Sequence, residues 1–510
     1  MEPEGCSTTN HRTPPIHPRG TERLRKGHSY GVAAPPMDGM IARMTPRPAK
    51  PGRKGASGVL VGLLVLALVG CGGTGPTALP AASGSGAPDA SVVAPSASSS
   101  GAASPVPSAS AATQSGCSDT GAAATFGPRP ISSDDPNAAV FSKIERSVQT
   151  IRGITASHPV PLNLLDQAGM CAYIRQVIAQ DDPPELVALT ERLYKQLGLM
   201  PADESLQKVY QDLLTSQVLG RYDPKTREMY VLSTAGAVGP AQQFIYAHEF
   251  DHALQDQQFG LTSILDLAND QSDRALARNA LLEGDATLLM ILWAQQNLSP
   301  AELLKIIGST DPASQAALNA APPILRETLQ WPYSAGLSLT QSAYQTSASF
   351  VGVDALWKNP PDTTAQLLHP EELASRVPAV PVSFPADLAR QLGPGWKVAL
   401  QDTLGELQLN ILMRTGNPQA GTDPAAGWAG DRVALVEGPS GAAAAIVDTT
   451  WDTATAASSA ASQLGQLVTV LDGLGKHAQT YTPSAQRVVL VSADSDATLS
   501  LVAAAIGLAH

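Results

Sequence analysis

His248-Glu249-Phe250-Asp251-His252 is the stretch from which both the fold and the chemistry of this chain can be argued. A helix is predicted over Ala241–Phe259, because Gly239-Pro240 precedes that run and Gly260 follows it. Residues four apart share one face of a helix, so the two histidines can present ring nitrogens to one metal ion. Glu249 lies beside that face, where a carboxylate can accept a proton from a metal-activated water. The H-E-x-x-H pattern therefore predicts a zinc site; two histidines that merely pack in a core helix are the alternative.

Glu283 is the candidate for the third protein ligand that a catalytic zinc ion usually takes. It lies in the next long helical pattern, from about Asp273 to Gln296, among apolar residues that predict burial. A buried carboxylate needs a partner or a metal. Gly284 costs about 1 kcal/mol in a helix relative to alanine, which indicates that another backbone passes close by. The alternative partner for Glu283 is an arginine such as Arg274 or Arg278.

Other polar residues are candidates for supporting roles in hydrolysis. Asp285 and Asp256 could orient a ligand histidine through its second ring nitrogen, or each could be a solvated helix charge. The oxyanion formed in hydrolysis needs a donor besides the metal, and Tyr333 and His369 are the candidates. A tyrosine beside a proline is usually a packing residue. Three other tyrosines are further candidates: Tyr222, Tyr230 and Tyr344.

The chain resembles the gluzincin metallopeptidases, the thermolysin-like group that combines H-E-x-x-H with a downstream glutamate ligand. More closely, it looks like a group of bacterial secreted or lipoprotein metallopeptidases, over roughly residues 190–460. The resemblance implies zinc as the cofactor and a peptide or protein as the substrate. Asp251 departs from the less polar residue usual inside the motif, but it would face away from the metal. The stretches that carry the likeness are Val218–Pro224, Ala247–Gln257, Leu282–Ala286, Trp331–Gly336, Leu367–Glu371, Ala426–Arg432 and Thr450–Asp452.

The folded part is predicted to be α+β, with a mainly helical, zincin-like catalytic domain. Residues 138–216 and 300–376 are predicted to be mainly helical, and Glu228–Leu232 a short strand. In zincin folds the strand before the motif helix is often a sheet edge, so Met229–Leu232 could bind a peptide by strand addition. An ordinary covered strand is the alternative. A small α+β unit that closes the cleft is predicted from strands Arg432–Glu437, Ala443–Asp448 and Arg487–Ser492 and helix Ala454–Leu471.

The N-terminal region is typical of an exported lipoprotein. Residues 58–70 are an apolar run of signal-peptide length, preceded by basic residues and too short for a comfortable membrane span. Leu68-Val69-Gly70-Cys71 resembles a lipobox, in which Cys71 is lipidated and becomes the mature N-terminus. An uncleaved anchor with an incidental cysteine is the alternative. Met44 gives the signal peptide its usual proportions and is the predicted start.

These features predict how the chain is divided and where it is located. Residues 71–117 are rich in Gly, Ser, Ala and Pro and cannot bury enough apolar surface to fold. The expected location is the extracellular face of the bacterial membrane, with the lipid on Cys71 as the only attachment. The predicted segments are 1–43 upstream of the start, 44–70 signal peptide, 71–117 tether, 118–216 helical segment, 217–376 zinc metallopeptidase core and 377–510 C-terminal α+β unit.

Charge and cysteine content agree with export. The chain has 33 Lys+Arg and 45 Asp+Glu, a formal net charge of −12 at pH 7. Residues 1–58 are net basic, so the remainder is more acidic still, which argues against nucleic acid and anionic lipid as partners. An oxidising exterior permits a disulfide between Cys117 and Cys171. The sequence leaves open whether these two cysteines meet.

Together the patterns predict a membrane-anchored zinc peptidase in which Glu249 is the general base. Two other classes stay open. A non-catalytic lipoprotein with a structural zinc site and an interaction role is disfavoured by the intact Glu249, since a structural site needs no base. A zinc hydrolase of a non-peptide bond, such as a cell-wall amide, is the other class. H-E-x-x-H helices favour peptidases over it, and the sequence contains no specificity pocket that can be read.

Overall fold

Helices make up most of the described residues between 138 and 375. The computed structural model describes residues 130–181, 183–217, 219–232, 238–265, 267–307 and 312–508. The helical predictions for residues 138–216 and 300–376 are confirmed. The helices, with the motif on α5, are α1 (Ala138–Arg152), α2 (Gln167–Asp181), α3 (Pro184–Gln196), α4 (Leu206–Gln217), α5 (Pro240–Phe259), α6 (Leu261–Leu265), α7 (Ser272–Asn297), α8 (Pro300–Ile307), α9 (Pro312–Ala320), α10 (Pro323–Ser347), α11 (Val351–Lys358), α12 (Ala365–Leu368) and α13 (Pro370–Ser375).

A three-stranded sheet packs beside the motif helix and corrects one prediction. Its strands are β1 (Leu162–Leu165), β2 (Gly220–Asp223) and β3 (Glu228–Leu232), in the order β1-β3-β2. β3 pairs in parallel with β1 and antiparallel with β2, so it is the central strand. The prediction that Met229–Leu232 is a sheet edge open to a peptide is therefore wrong. Its second neighbour comes from a segment more than sixty residues earlier, which local sequence pattern does not reveal.

A five-stranded antiparallel sheet forms the C-terminal part and completes an α+β fold. Its strand order is β4-β5-β6-β8-β7, and the strands and the helix predicted there are confirmed within longer elements. β4, β7 and three helices, α14, α15 and α17, were not predicted. The elements are α14 (Leu388–Leu392), β4 (Lys397–Asp402), α15 (Gly405–Gly416), β5 (Trp428–Glu437), β6 (Ala443–Trp451), α16 (Ala454–Gly473), β7 (His477–Ser484), β8 (Arg487–Ala493) and α17 (Asp496–Ala505).

The C-terminal sheet shares its core with helices from earlier parts of the chain. One cluster of buried apolar residues joins Leu197 after α3 and Leu276 of α7 to Val447 of β6 and Leu464 of α16. A second cluster packs α1, α5 and α7 against the three-stranded sheet, with Leu254 of the motif helix among its fully buried members. Helix α7, which packs against the motif helix, therefore contributes apolar residues to both clusters.

Buried carboxylates tie the start of α7 to the turn between β4 and α15. Asp273 accepts hydrogen bonds from the backbone N–H and the hydroxyl of Thr364 at 3.0 and 2.6 Å. Asp431 accepts from the N–H groups of Leu404 and Gly405 at 2.9 and 2.8 Å. Gly405 has φ +71°, and a Cβ there would lie 1.8 Å from Asp273 Oδ1, so only glycine fits the turn. Asp273 N–H donates to Thr403 O at 3.2 Å and Asp402 accepts from Ser272 N–H at 3.0 Å, so the start of α7 is bonded to the end of β4 in the C-terminal sheet.

α7 and α10 cross with their backbones in direct contact. A Cβ on Gly284 would lie 2.1 Å from the carbonyl carbon of Gly336, and a Cβ on Gly336 would lie 1.8 Å from Ala280 O. The hydroxyl of Thr340 donates to Gly284 O at 2.9 Å across the same crossing. The prediction that another backbone passes close to Gly284 is confirmed, and that backbone belongs to α10.

Within the described residues, no helix is both long enough and apolar enough to cross a membrane. The predicted signal peptide, the lipidation site Cys71 and Cys117 lie outside the described residues. Cys171, on α2, is disulfide-bonded. Its partner also lies outside the described residues, so the pairing with Cys117 stays a prediction.

Gly284→Ala is expected to lower the free energy of unfolding by about 1–3 kcal/mol or more, because the added methyl group must push α10 away. Gly465→Ala is the matched control: Gly465 lies inside α16, and a Cβ there meets nothing within 4 Å. That change should instead stabilise the chain by about 0.5–1 kcal/mol. Denaturant unfolding of both variants measures the difference, and equal effects would contradict the close crossing.

Candidate metal centre

The motif helix places two imidazoles at one point. α5 begins at Pro240 and ends at Phe259, and Gly260, with a φ of 74°, stops the helix as predicted. His248 Nε2 and His252 Nε2 lie 3.0 Å apart, and the two rings meet edge to face at 88°. Both side chains are fully buried. The four-residue spacing thus aims both Nε2 atoms at a common site, as the sequence predicts.

Glu283, on α7, completes a three-residue cluster. Its Oε2 lies 3.2 Å from His248 Nε2 and 3.6 Å from His252 Nε2. Glu283 does not pair with Arg274 or Arg278, the alternative partners, because both arginines pair with Asp362 at 3.1 Å. The two helices bring together three ligating atoms that all lie within 4.8 Å of one another.

The cluster fits a divalent metal ion. Two imidazole nitrogens and one carboxylate oxygen form a donor set typical of catalytic zinc. Glu283 is fully buried and its Oε1 has no hydrogen-bond partner, a condition that a buried carboxylate seldom shows without a cation nearby. Burial raises the pKa of Glu283, but the hydrogen bonds from the two histidines outweigh it and lower the pKa overall. A carboxylate kept ionised beside two imidazoles is suited to ligation.

His252 is oriented by a residue that the sequence analysis missed, Gln255. Its Oε1 can only accept, and it lies 2.8 Å from His252 Nδ1, so Nδ1 carries a hydrogen and Nε2 is the nitrogen that faces the candidate site. The Gln255 amide donates in turn to Asp251 Oδ2 at 3.1 Å and to Leu282 O at 3.2 Å. The available signal was the i, i+3 spacing of Gln255 from His252, which places both on one helix face.

Asp285 and Asp256, the two predicted supporting carboxylates, make their hydrogen bonds elsewhere. Asp256 accepts from the hydroxyl of Tyr222 at 2.9 Å and from Leu261 N–H at 3.0 Å. Asp285 accepts from Trp357 Nε1 at 2.8 Å and pairs with Arg152 at 3.0 Å. Neither prediction is supported as a direct contact to a ligand histidine.

Arg152, from α1, is a fully buried cation near the candidate metal ligands. Its guanidinium pairs with Asp285, reaches Asp354 Oδ1 at 2.7 Å and approaches Asp251 Oδ1 to 3.7 Å. Burial raises the pKa of Asp251 to about 8, with the charge of Asp285 acting in the same direction and Arg152 opposing it. The carboxylates gathered here need this cation, because a buried charge without a partner is strongly unfavourable. No local sequence signal pointed to Arg152.

Glu249 is held by β2 at one oxygen only. Tyr222 N–H donates to its Oε2 at 2.7 Å, while its buried Oε1 has no hydrogen-bond partner. A Cβ on Gly220 would lie 3.5 Å from Glu249 Cγ, so the edge strand packs closely on this side chain. Burial raises the pKa of Glu249 to about 7, against the lowering effects of His252 and of the Tyr222 N–H. One oxygen is anchored and the other is available to exchange a proton.

Tyr333, but not His369, is brought to the centre. The ring of Tyr333 stacks on His248 at 6.3 Å, and its buried hydroxyl has no hydrogen-bond partner. Burial and then the charge of Glu283 raise its pKa well above the usual value, so the hydroxyl keeps its proton. His369 instead contacts Glu406 at 2.8 Å, and the structure gives no support to its predicted role as an oxyanion donor. Tyr222, Tyr230 and Tyr344 are engaged by Asp256, Glu228 and Phe350.

Gln255→Met should weaken zinc binding by about 10–100-fold, because it keeps the side-chain volume but removes the acceptor that orients His252. Gln196→Met on α3 is the control, since that buried glutamine bonds Ser492 and lies outside the metal centre. Competition against a chelating dye gives both affinities. Unchanged affinity in Gln255→Met would show that this hydrogen bond has no effect on the ligand.

Comparison with known proteins bears on the C-terminal part. A domain of unknown function, DUF8575, matches residues 396–506. This stretch runs from Trp396, just before β4, to Ile506, just after α17, and it contains none of the candidate metal ligands on α5 and α7. No curated protein matches the chain, and no solved structure matches it. The match therefore covers the five-stranded sheet and helices α15, α16 and α17.

Proposed function

We propose that this chain is a zinc-dependent peptidase with His248, His252 and Glu283 as metal ligands. One observation carries the proposal: three ligating atoms lie within 4.8 Å of one another, next to a buried carboxylate with an unbonded oxygen. Three protein ligands leave a zinc ion one open position, as in catalytic sites. Bound zinc supplies Lewis-acid chemistry to this pocket.

Glu249 is the general base in this proposal. Its Oε2 is occupied by Tyr222 N–H, so Oε1 is the atom that accepts the proton of the attacking water and later passes it to the departing amine. A base works best when its pKa lies near the operating pH, and burial brings this carboxyl close to neutrality. The hydrogen bond from β2 keeps the carboxylate from rotating away.

Tyr333 is the donor to the oxyanion in this proposal. Its hydroxyl is protonated and buried, and the carboxylates of Glu283 and Glu249 act on it, so it lies near the proposed ligand and base. The backbone contact between Gly336 and Gly284 holds its helix turn against α7, which carries Glu283. Both the ligand and the donor are therefore positioned by the same helix crossing.

A purely structural zinc site is less well supported than a catalytic one. Such a site is closed by protein ligands and needs no base. Here Glu249 is fully buried next to the ligands with one oxygen unsatisfied, an arrangement that lowers stability and is best explained by catalysis. Hydrolysis of a non-peptide amide would use the same residues, so the substrate panel must distinguish the two.

Glu249→Gln should lower peptide hydrolysis by at least about 100- to 10,000-fold, since it removes the proton acceptor while preserving size. Zinc content should stay at the wild-type value, because Glu249 is not a proposed ligand. Peptide libraries and cell-wall amides are assayed with and without chelator, with Glu191→Gln on α3 as control. A zinc-loaded Glu249→Gln protein that cleaves at the wild-type rate would rule out this mechanism.

For location, we propose a lipoprotein tethered to the outer face of a bacterial membrane through Cys71. The proposal rests on the lipobox-like Leu68-Val69-Gly70-Cys71 and on the Gly, Ser, Ala and Pro-rich residues that follow it.

Cys71→Ser should abolish acylation and processing at that position. Labelling with an alkyne fatty acid, followed by membrane fractionation, measures both, and unchanged labelling of the variant would remove the proposal.

A further inference from the structure

A second group of side chains converges where α13, α15 and the segment before β5 meet. His369, immediately before α13, has its Nε2 2.8 Å from Glu406 Oε1 and 3.6 Å from Asp423 Oδ2. One ligating atom from each residue lies within 4.8 Å of the other two. The three residues come from separate segments, so their meeting is a product of the tertiary fold.

Glu406 has an oxygen that the protein leaves unsatisfied. Its side chain is only 1% exposed, and Oε2 has no hydrogen-bond partner. An unsatisfied buried carboxylate oxygen is rare in native proteins and is commonly explained by an ion. Asp423 is oriented from its other side, because Asn410 Nδ2 donates to Oδ1 at 2.8 Å and Asn410 Oδ1 accepts from Ala425 N–H at 2.7 Å.

The surroundings of the cluster are strongly acidic. Glu372, one helix turn beyond His369, adds a third carboxylate that acts electrostatically on both His369 and Glu406. Asp452 adds a further negative charge beside Glu372. Four carboxylates and one imidazole therefore gather in this part of the fold.

We propose that His369, Glu406 and Asp423 bind a divalent transition-metal ion at a second site, distinct from the centre on α5 and α7. One imidazole and two carboxylates form a mixed nitrogen and oxygen set that suits Zn²⁺ or Mn²⁺. The His369 and Asp423 side chains are 25% and 30% exposed, which gives an ion a route from solvent. The orientation of Asp423 by Asn410 is the kind of supporting hydrogen bond that ligating carboxylates require.

The consequence is a metal cross-link at the border of the DUF8575 match. Glu406 and Asp423 lie inside residues 396–506, whereas His369 lies outside them. An ion held by all three would join α13 to α15 and to the segment before β5. This site does not depend on the proposed peptidase activity, since it shares no ligand with the first centre.

The test counts metal ions bound to the full mature chain. The protein is stripped with chelator, equilibrated with Zn²⁺ or Mn²⁺, and analysed by mass spectrometry of the metals and by calorimetric titration. His369→Asn and Glu406→Gln remove ligands of the second site, and Glu283→Gln removes one of the first. His477→Asn is the matched control, because His477 forms an exposed pair with Asp496 at 2.7 Å and belongs to neither cluster.

Wild-type protein and His477→Asn should each bind two ions. His369→Asn and Glu406→Gln should each weaken one of the two sites by at least the 10–100-fold typical of losing a supporting residue. Glu283→Gln should affect the other site, and the double variant Glu283→Gln with Glu406→Gln should lose both. Replacing the buried Glu406 could prevent folding, and circular dichroism reports whether each variant is folded. His369 is partly exposed, so His369→Asn should fold and test the second site by itself.

Two results overturn the proposal. One is a His369→Asn variant that binds as much metal as the wild type, and the other is complete loss of metal in the single variant Glu283→Gln. Failure of the first centre gives a different result. In that case the wild type binds one ion, which His369→Asn removes and Glu283→Gln retains, and the second site stands while the peptidase proposal falls.

Discussion

The contact of Gly284 with Gly336 is the constraint on which the candidate metal centre depends. Two helices can approach this closely only where neither carries a side chain, and a Cβ at either position would overlap the other backbone. Glu283 precedes one of these glycines and Tyr333 lies one turn before the other. The crossing therefore determines the positions of both the proposed ligand, Glu283, and the proposed oxyanion donor, Tyr333. The same helix α7 packs on α5, which carries the two histidines.

The second constraint is the burial of charge along α7. Asp273, Glu283 and Asp285 are all buried on this one helix, and each is stabilised differently. Asp273 accepts hydrogen bonds from Thr364, Glu283 faces two imidazoles, and Asp285 pairs with Arg152. Isolated buried carboxylates are strongly unfavourable, so each set of partners must be assembled for the helix to pack at all. Ligand geometry and fold stability are coupled through this requirement.

The hydrogen bonds and ion pairs around the candidate ligands extend from the motif helix to Arg152 on α1. His252 bonds Gln255, Gln255 bonds Asp251, and the buried Arg152 of α1 lies between Asp251 and Asp285. An arginine is suited to this position because its fixed set of donors can face several carboxylates at once. Arg152 of α1, far from the motif in sequence, is thus three side-chain contacts away from the His252 imidazole.

The sequence by itself determined what depends on neighbouring residues. The bounds of α5, the shared face of His248 and His252, the burial of Glu283 and a close backbone at Gly284 all follow from helix geometry and local propensity. Only the tertiary structure decided which segments meet. It pairs β1 with β3, and it places Gln255 rather than Asp256 against His252. It also brings Arg152 to Asp285 and His369 to Glu406. These contacts join residues that are distant in the chain or compete for one partner. Their outcome is set by packing and by the pairing of buried charge, neither of which leaves a periodic signal in the sequence.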